Sequence, residues 1–461
     1  MSSVKANNLP ILGDYSSSII SLSTEHSLGQ AIIRNIRTTS AEIEDPIIES
    51  YIKDLTWSLI AASQLQDKRV SIVLLNSQSV NAFAAPGGVL GIHGGLIIAA
   101  QKEDELASVI SHELAHLSQR HFAAQLEQQR LDTPLAIASM LTGLLVASSN
   151  AKAGTAIIST GAANQLSSRL AFSRRNEQEA DRIGMLNLSK AGFKPQAMPR
   201  MFGRLLEIQR LQGSLPPEFL LTHPSSNARV ADSQNRAEQL PIRKTNKENI
   251  DFSIIKARLV TKYAHQNKRS AKHFKTLAKK NPTPLNLYSL AIADAEAQSY
   301  SESIKTLHKL PSKWRNNLLV KLSLAQIYTK NRQYKKSLKI LNKLNLLYPN
   351  HSAVQLIMAQ TLLEAQLPKQ AAEQLQHITS YDAENVNAWY LLAEAHGLAG
   401  NRNALHAARI EYFLLLGHID AAKKQISFAR KERSITKSDS YKLDELEEQL
   451  TVVKGYFETR Y

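Results

Sequence analysis

The residues whose types and spacing most plainly prescribe chemistry are His112-Glu113-Leu114-Ala115-His116. On an α-helix the i, i+4 spacing stacks two side chains on one face, so His112 and His116 can each present a nitrogen to one metal ion. Glu113 projects about 100° round the helix, where it flanks the ion without binding it, as a general base must. Catalytic zinc needs three protein ligands and one position left for water. The chain has no cysteine, so any further ligand is a histidine or a carboxylate. Glu177, in Asn176-Glu177-Gln178-Glu179-Ala180-Asp181, is the candidate third ligand. Asp181, one turn further on the same face, can accept a hydrogen bond from a zinc-bound imidazole and fix its tautomer. Glu179 projects roughly the other way and reads as solvated or salt-bridged. His93 and His121 lack helical spacing to the ligand pair and read as structural. A zinc ion so held acidifies water and polarises a carbonyl, while Glu113 takes a proton and passes it to a leaving amine.

These side chains need rigid elements behind them. The acidic run Glu103-Asp104-Glu105, placed where a helix dipole favours negative charge, starts a helix whose buried side is Leu106, Val109, Ile110, Leu114 and Leu117. A second, charged helix is expected from Arg174 to Leu188. Upstream, Ile32, Ile33 and Ile36, then Ile48, Tyr51, Ile52, Leu55 and Leu59, recur at helical spacing. A β-branched run spans Arg69 to Leu75. Pro86, Gly87 and Gly88 would break a central strand, so they predict a turn into an edge strand at Val89–His93 that can pair with an extended peptide. Pro216, Pro217 and Thr222-His223-Pro224 mark a loop. The small, apolar stretches 134–147 and 154–163 read either as a buried helix pair or as a hairpin that rests on a membrane or covers the active site.

At 461 residues the chain exceeds one hydrophobic core. A polar segment at 241–250 divides it into domains at 1–240 and 251–461. In the second, Ala257, Ala291, Ala325, Ala359 and Ala393 recur every 34 residues, the period of tetratricopeptide helix pairs. Three units keep further register at Ser303, Ser337 and Ala371 and at Leu307, Leu341 and Leu375. The net charge is +16, yet residues 1–250 hold 24 basic and 22 acidic side chains, so nearly all the excess lies beyond them. Those basic residues are spread along helices without a nucleic-acid motif, which argues against nucleic acid and for a solvated face or an acidic surface. Met1–Ile20 lacks the pattern of a secretory signal, as expected of an intracellular chain or a mature form.

The ordered set HELAH and NEQEAD, preceded by NAFAAPGG, resembles the metallopeptidase family of HtpX and the CAAX prenyl proteases. With a tetratricopeptide array following, it most resembles the soluble, periplasmic branch of that family. The resemblance implies an α+β, gluzincin-type metalloprotease domain, mostly helical with a small sheet, followed by an all-α tetratricopeptide solenoid. It implies one Zn2+ held by His112, His116 and Glu177, with Glu113 as base and Asp181 beside the site. A histidine in the context Leu220-Leu221-Thr222-His223-Pro224 closes the site in such proteins, so His223 is an expected inhibitory fourth ligand. The implied protein is a periplasmic monomer, peripheral at the outer membrane, whose clients are β-barrel proteins such as LptD and the barrel assembly machinery. A different class of reading makes the chain a chaperone or scaffold with a vestigial or structural zinc site.

Overall fold

The computed structural model describes residues 21–124, 173–212, 217–224, 227–241, 249–263, 271–432 and 435–458. The expected hairpin at 134–163 lies outside them, as does most of the segment read as a linker. Elements are numbered over the described residues. Among these no helix is long and apolar enough to cross a membrane.

The first part is helical around a three-stranded sheet. Helices α1 (Leu22–Thr39) and α2 (Pro46–Ala62) bury the isoleucines picked out by their spacing. Asp45 caps α2 by accepting from the amides of Ile47 and Ile48, and Pro46 occupies the first turn, where a missing N–H costs nothing. Strands β1 (Ser71–Leu75), β2 (Ala82–Ala85) and β3 (Val89–His93) lie in the order β1-β3-β2. β1 runs parallel to β3, and β2 pairs antiparallel to it from Ala85↔Val89 to Ala82↔Ile92. The expected edge strand Val89–His93 is therefore the central one. Pro86-Gly87-Gly88 does form a turn, but that turn closes a hairpin and leaves the edge to β2. The buried run Val-Leu-Gly-Ile-His is what a strand covered on both faces requires.

From β3 the chain passes through α3 (Gly94–Ala99) to α4 (Glu103–Ser118), which is buried from Glu105 to His116. Arg200 and Arg204 of α6 (Ala197–Gln212) meet the acidic first turn of α4 at Asp104 and Glu105. α5 (Arg174–Lys190) starts at an N-cap Ser173 that accepts from the Asn176 amide. It crosses α4 closely because Gly184 has no side chain. A Cβ there would stand 2.9 Å from the Ser111 carbonyl and 3.0 Å from the His112 Cα. The region read as a loop contains a short helix, α7 (Glu218–Thr222), before α8 (Asn227–Gln239).

Beyond α9 (Ile250–Tyr263) and α10 (Ala271–Lys280) the helices fall into pairs. The first members, α11, α14, α16 and α18, begin at Pro284, Leu318, Ser352 and Val386, 34 residues apart. The second members, α12, α15, α17 and α19, begin at Tyr300, Tyr334, Pro368 and Arg402 with the same interval. The turn inside each pair repeats too, with a left-handed residue at Gln298, Arg332, Gln366 and Gly400. The short α13 (Ser312–Arg315) joins the first pair to the second, and α20 (Ile419–Ala429) and α21 (Lys437–Glu458) follow the last. One apolar core runs from Ile43 to Ala408, so the sheet-containing part and the helix pairs pack as a unit. α2 lies against α9, α14 and α16. At that junction the buried Asp45 receives Arg258 and Lys262, each at 2.8 Å. Burial alone would raise the Asp45 carboxyl, but these two cations outweigh it and hold the pKa at about 2.

Candidate metal centre

Four elements bring their side chains to one point. α4 supplies His112 and His116, α5 supplies Glu177, and the residue ending α7 is His223; all four are buried. His112 Nε2 lies 3.1 Å from His116 Nε2 and 3.4 Å from His223 Nδ1. Glu177 Oε1 lies 3.4 Å from His116 Nε2 and 2.9 Å from His223 Nδ1. A tetrahedron with corners about 2.0–2.1 Å from a zinc ion has edges of about 3.3–3.4 Å. The four donors have that spacing.

Their chemistry also calls for a cation. Asp181 Oδ1 lies 3.0 Å from His112 Nδ1, so that nitrogen is the donor and Nε2 faces the cluster as a lone pair. His116 Nδ1 is engaged by His121 Nδ1 at 3.0 Å, while the opposite ring nitrogen of His121 faces Glu179 at 3.4 Å. Lone pairs and a carboxylate therefore converge. Without an ion a proton takes its place: burial pushes the His112 imidazole down, but Asp181 and Glu177 together hold its pKa at about 9. Burial opposes ionisation of Glu177, yet His223 and the two helix histidines keep it well below the usual carboxylate range. The residues present fit a divalent metal ion.

Arg229 of α8 organises the carboxylates. Its guanidinium grips Asp181 with two hydrogen bonds of 2.5 and 2.8 Å and meets Glu177 Oε2 at 2.7 Å. It also donates to the Pro224 carbonyl at 3.0 Å and lies over the Phe202 ring. One planar cation thereby fixes a candidate ligand, the group orienting His112, and the backbone just after His223. Glu113 stands beside the cluster, fully buried, facing His223 Nε2 at 3.5 Å and the Ala84 amide of β2. Burial raises its carboxyl above the ordinary range, an effect that His223 and His112 only partly offset.

The structure thus gathers His112, Glu113, His116, Glu177, Asp181 and His223 in one place, with Glu179 half-buried in an ion pair. His93 stays outside the cluster. His121 and Arg229 belong to it although spacing gave no sign of them. Arg120, in the left-handed conformation at φ 51°, ends α4 and turns the chain so that His121 folds back onto His116.

Comparison with known proteins agrees with this geometry. Residues 46–237 match the model of peptidase family M48. The β-barrel assembly-enhancing protease of Escherichia coli K12 is 32% identical over 98% of this chain and 93% of its own length. A putative β-barrel assembly-enhancing protease of Vibrio cholerae is 35% identical over 88% of this chain and 84% of its own. The mitochondrial metalloendopeptidase OMA1 of Saccharomyces cerevisiae is 30% identical over 45% of this chain and 55% of its own. The helix-borne histidine pair, the glutamate opposite it and the family match lead to one conclusion: the chain belongs to peptidase family M48, as a metalloendopeptidase related along nearly its whole length to the β-barrel assembly-enhancing proteases.

Proposed function

We propose that this chain is a zinc endopeptidase of outer-membrane protein assembly, working in the periplasm and held latent by His223. The observation that carries the reading is the buried pairing of a four-donor cluster with Glu113, a base that a purely structural metal would not need. His112, His116 and Glu177 are the permanent ligands, Asp181 and His121 set the ring tautomers, and Arg229 holds the carboxylates. His223 occupies the fourth corner, where an active site keeps room for water.

When bound, zinc supplies Lewis acidity to a peptide carbonyl and makes a nearby water more acidic. Glu113 accepts the proton of the attacking water and returns it to the leaving amine; its raised pKa suits a group that must both take and give a proton. β2 carries an exposed edge beside α4, so an extended substrate adds there as a fourth strand rather than along Val89–His93.

The division into a protease domain at 1–240, a linker at 241–250 and a tetratricopeptide domain at 251–461 is supported by the 34-residue interval of the helix pairs. By analogy with the relatives' names, the clients are misassembled β-barrel proteins such as LptD and the partner is the barrel assembly machinery. The exposed lysines of α10, α12 and α15, among them Lys272, Lys279, Lys309, Lys335 and Lys339, suit peripheral contact with an anionic surface. A second reading, a tetratricopeptide scaffold with a structural zinc, is favoured by the complete four-donor set. The two separate on His223→Ala loaded with one zinc per chain. Faster casein cleavage than wild type supports the latent protease. An unchanged rate removes the latch, and no cleavage by either protein removes the peptidase.

A further inference from the structure

α7 has five residues, too few to stand on helix propensity alone. Part of what seats it is apolar: Phe219 and Leu220 are buried, and the Phe219 ring stacks on His223 at 4.6 Å. The rest is polar and lies at its first residue, away from the metal cluster. The Phe219 amide donates to the Val80 carbonyl at 3.2 Å. The Glu218 carboxylate reaches the β1–β2 connection, where Ser79 and Asn81 hydrogen-bond to it. His93, buried at the end of the central strand, places Nδ1 3.7 Å from Glu218 Oε2 and shares a 2.5 Å contact with the Ser79 hydroxyl. Sheet and latch therefore meet through one buried polar group of four side chains.

That group is only half satisfied. Glu218 Oε2, His93 Nε2 and Asn81 Oδ1 are buried without a hydrogen-bond partner. Unmatched buried polar atoms regain water when the contact opens, so the closed state is less favoured than its contact list suggests. A seat of this kind holds α7 reversibly. We propose that Glu218 is the anchor of the His223 latch, its contacts with Ser79, Asn81 and His93 setting the fraction of molecules in which α7 stays closed on the metal centre. This rests on the reading of His223 as an inhibitory fourth donor. It adds a positioning residue that touches neither metal donors nor substrate.

The test uses the full zinc-loaded chain and two readouts, casein cleavage and amide hydrogen exchange of residues 217–224. Glu218→Ala leaves the Ser79 and Asn81 donors buried without their acceptor. Loss of about one net hydrogen bond raises the open population, and with it cleavage, about fivefold. Exchange at 217–224 speeds up in proportion, and zinc content is unchanged. In a His223→Ala background the same substitution gives no further gain in cleavage. Glu218→Gln, which preserves shape but not the ionised acceptor, falls between and carries the test if the alanine variant folds poorly. Wild-type cleavage and exchange in both variants, or a gain that adds fully to that of His223→Ala, would overturn the proposal. Faster exchange with His223→Ala no more active than wild type would leave the anchor standing and remove the latch itself.

Discussion

The metal cluster and the repeated helix pairs bury polar groups in opposite ways. In the pairs, each buried hydroxyl is answered close by: Ser303 donates to the Ala291 carbonyl at 2.6 Å, Ser337 to Ala325 at 2.9 Å, and Thr361 to Ile357 at 2.7 Å. In the cluster, imidazole lone pairs and a carboxylate from three separate elements face one another at 2.9–3.4 Å. The array is complete as a polypeptide. The cluster is complete only with a cation. The first arrangement needs short-range pattern alone, whereas the second needs the fold to hold unfavourable neighbours together until an ion repays them.

The junction between the two regions is where the largest loss of stability is expected. Asp45 caps α2 and pairs with Arg258 and Lys262 inside the protein. Asp45→Ala strands two cations and should cost about 3–5 kcal/mol, measured by denaturant unfolding. The depressed pKa gives a sign as well. The contribution of Asp45 is fully present above its unfolded value near 4 and is lost as pH falls toward about 2. The gap in stability between wild type and Asp45→Asn should therefore close on acidification; a gap that widens would break the picture of the junction.

Next come the residues behind the metal donors. Arg229→Lys removes a planar fork from Asp181 and Glu177, and Gly184→Ala forces α5 away from α4. Each should weaken zinc binding about 10–100-fold, read by competition with a chromogenic chelator. The same changes should leave the helix pairs' circular dichroism intact.

The smallest effects belong to the array. Gly400 and Gln366 occupy equivalent left-handed turns at φ 78° and 60°. Gly400→Ala should destabilise by about 1 kcal/mol, and Gln366→Gly should be neutral or stabilising by less. Equal losses at both positions would mean the turns are not equivalent.

What could be read from the sequence follows the same division. The 34-residue interval, the isoleucine faces of α1 and α2, and the i, i+4 pairs His112/His116 and Glu177/Asp181 are local patterns, and each reappears in the coordinates. His223 came through family resemblance, since nothing in its own spacing ties it to α4. Arg229 and His121 were illegible because a distant helix and one left-handed residue place them, and neither has a periodicity. The edge-strand reading failed for a related reason. Pro86-Gly87-Gly88 was taken as a property of the strand after it, when the turn belongs to the hairpin with β2 and says nothing about which strand is covered. Strand order is set by long-range pairing.

The most direct test of the account is cleavage by an unlatched enzyme with and without its base. His223→Ala and the double variant Glu113→Gln/His223→Ala should bind zinc with the same stoichiometry and affinity. Only the first should cleave casein, with the double variant at least about 100-fold slower, the usual worth of a general base. Comparable cleavage by the two, at equal zinc content, would contradict the assignment of Glu113 and with it the reading of this cluster as a protease centre.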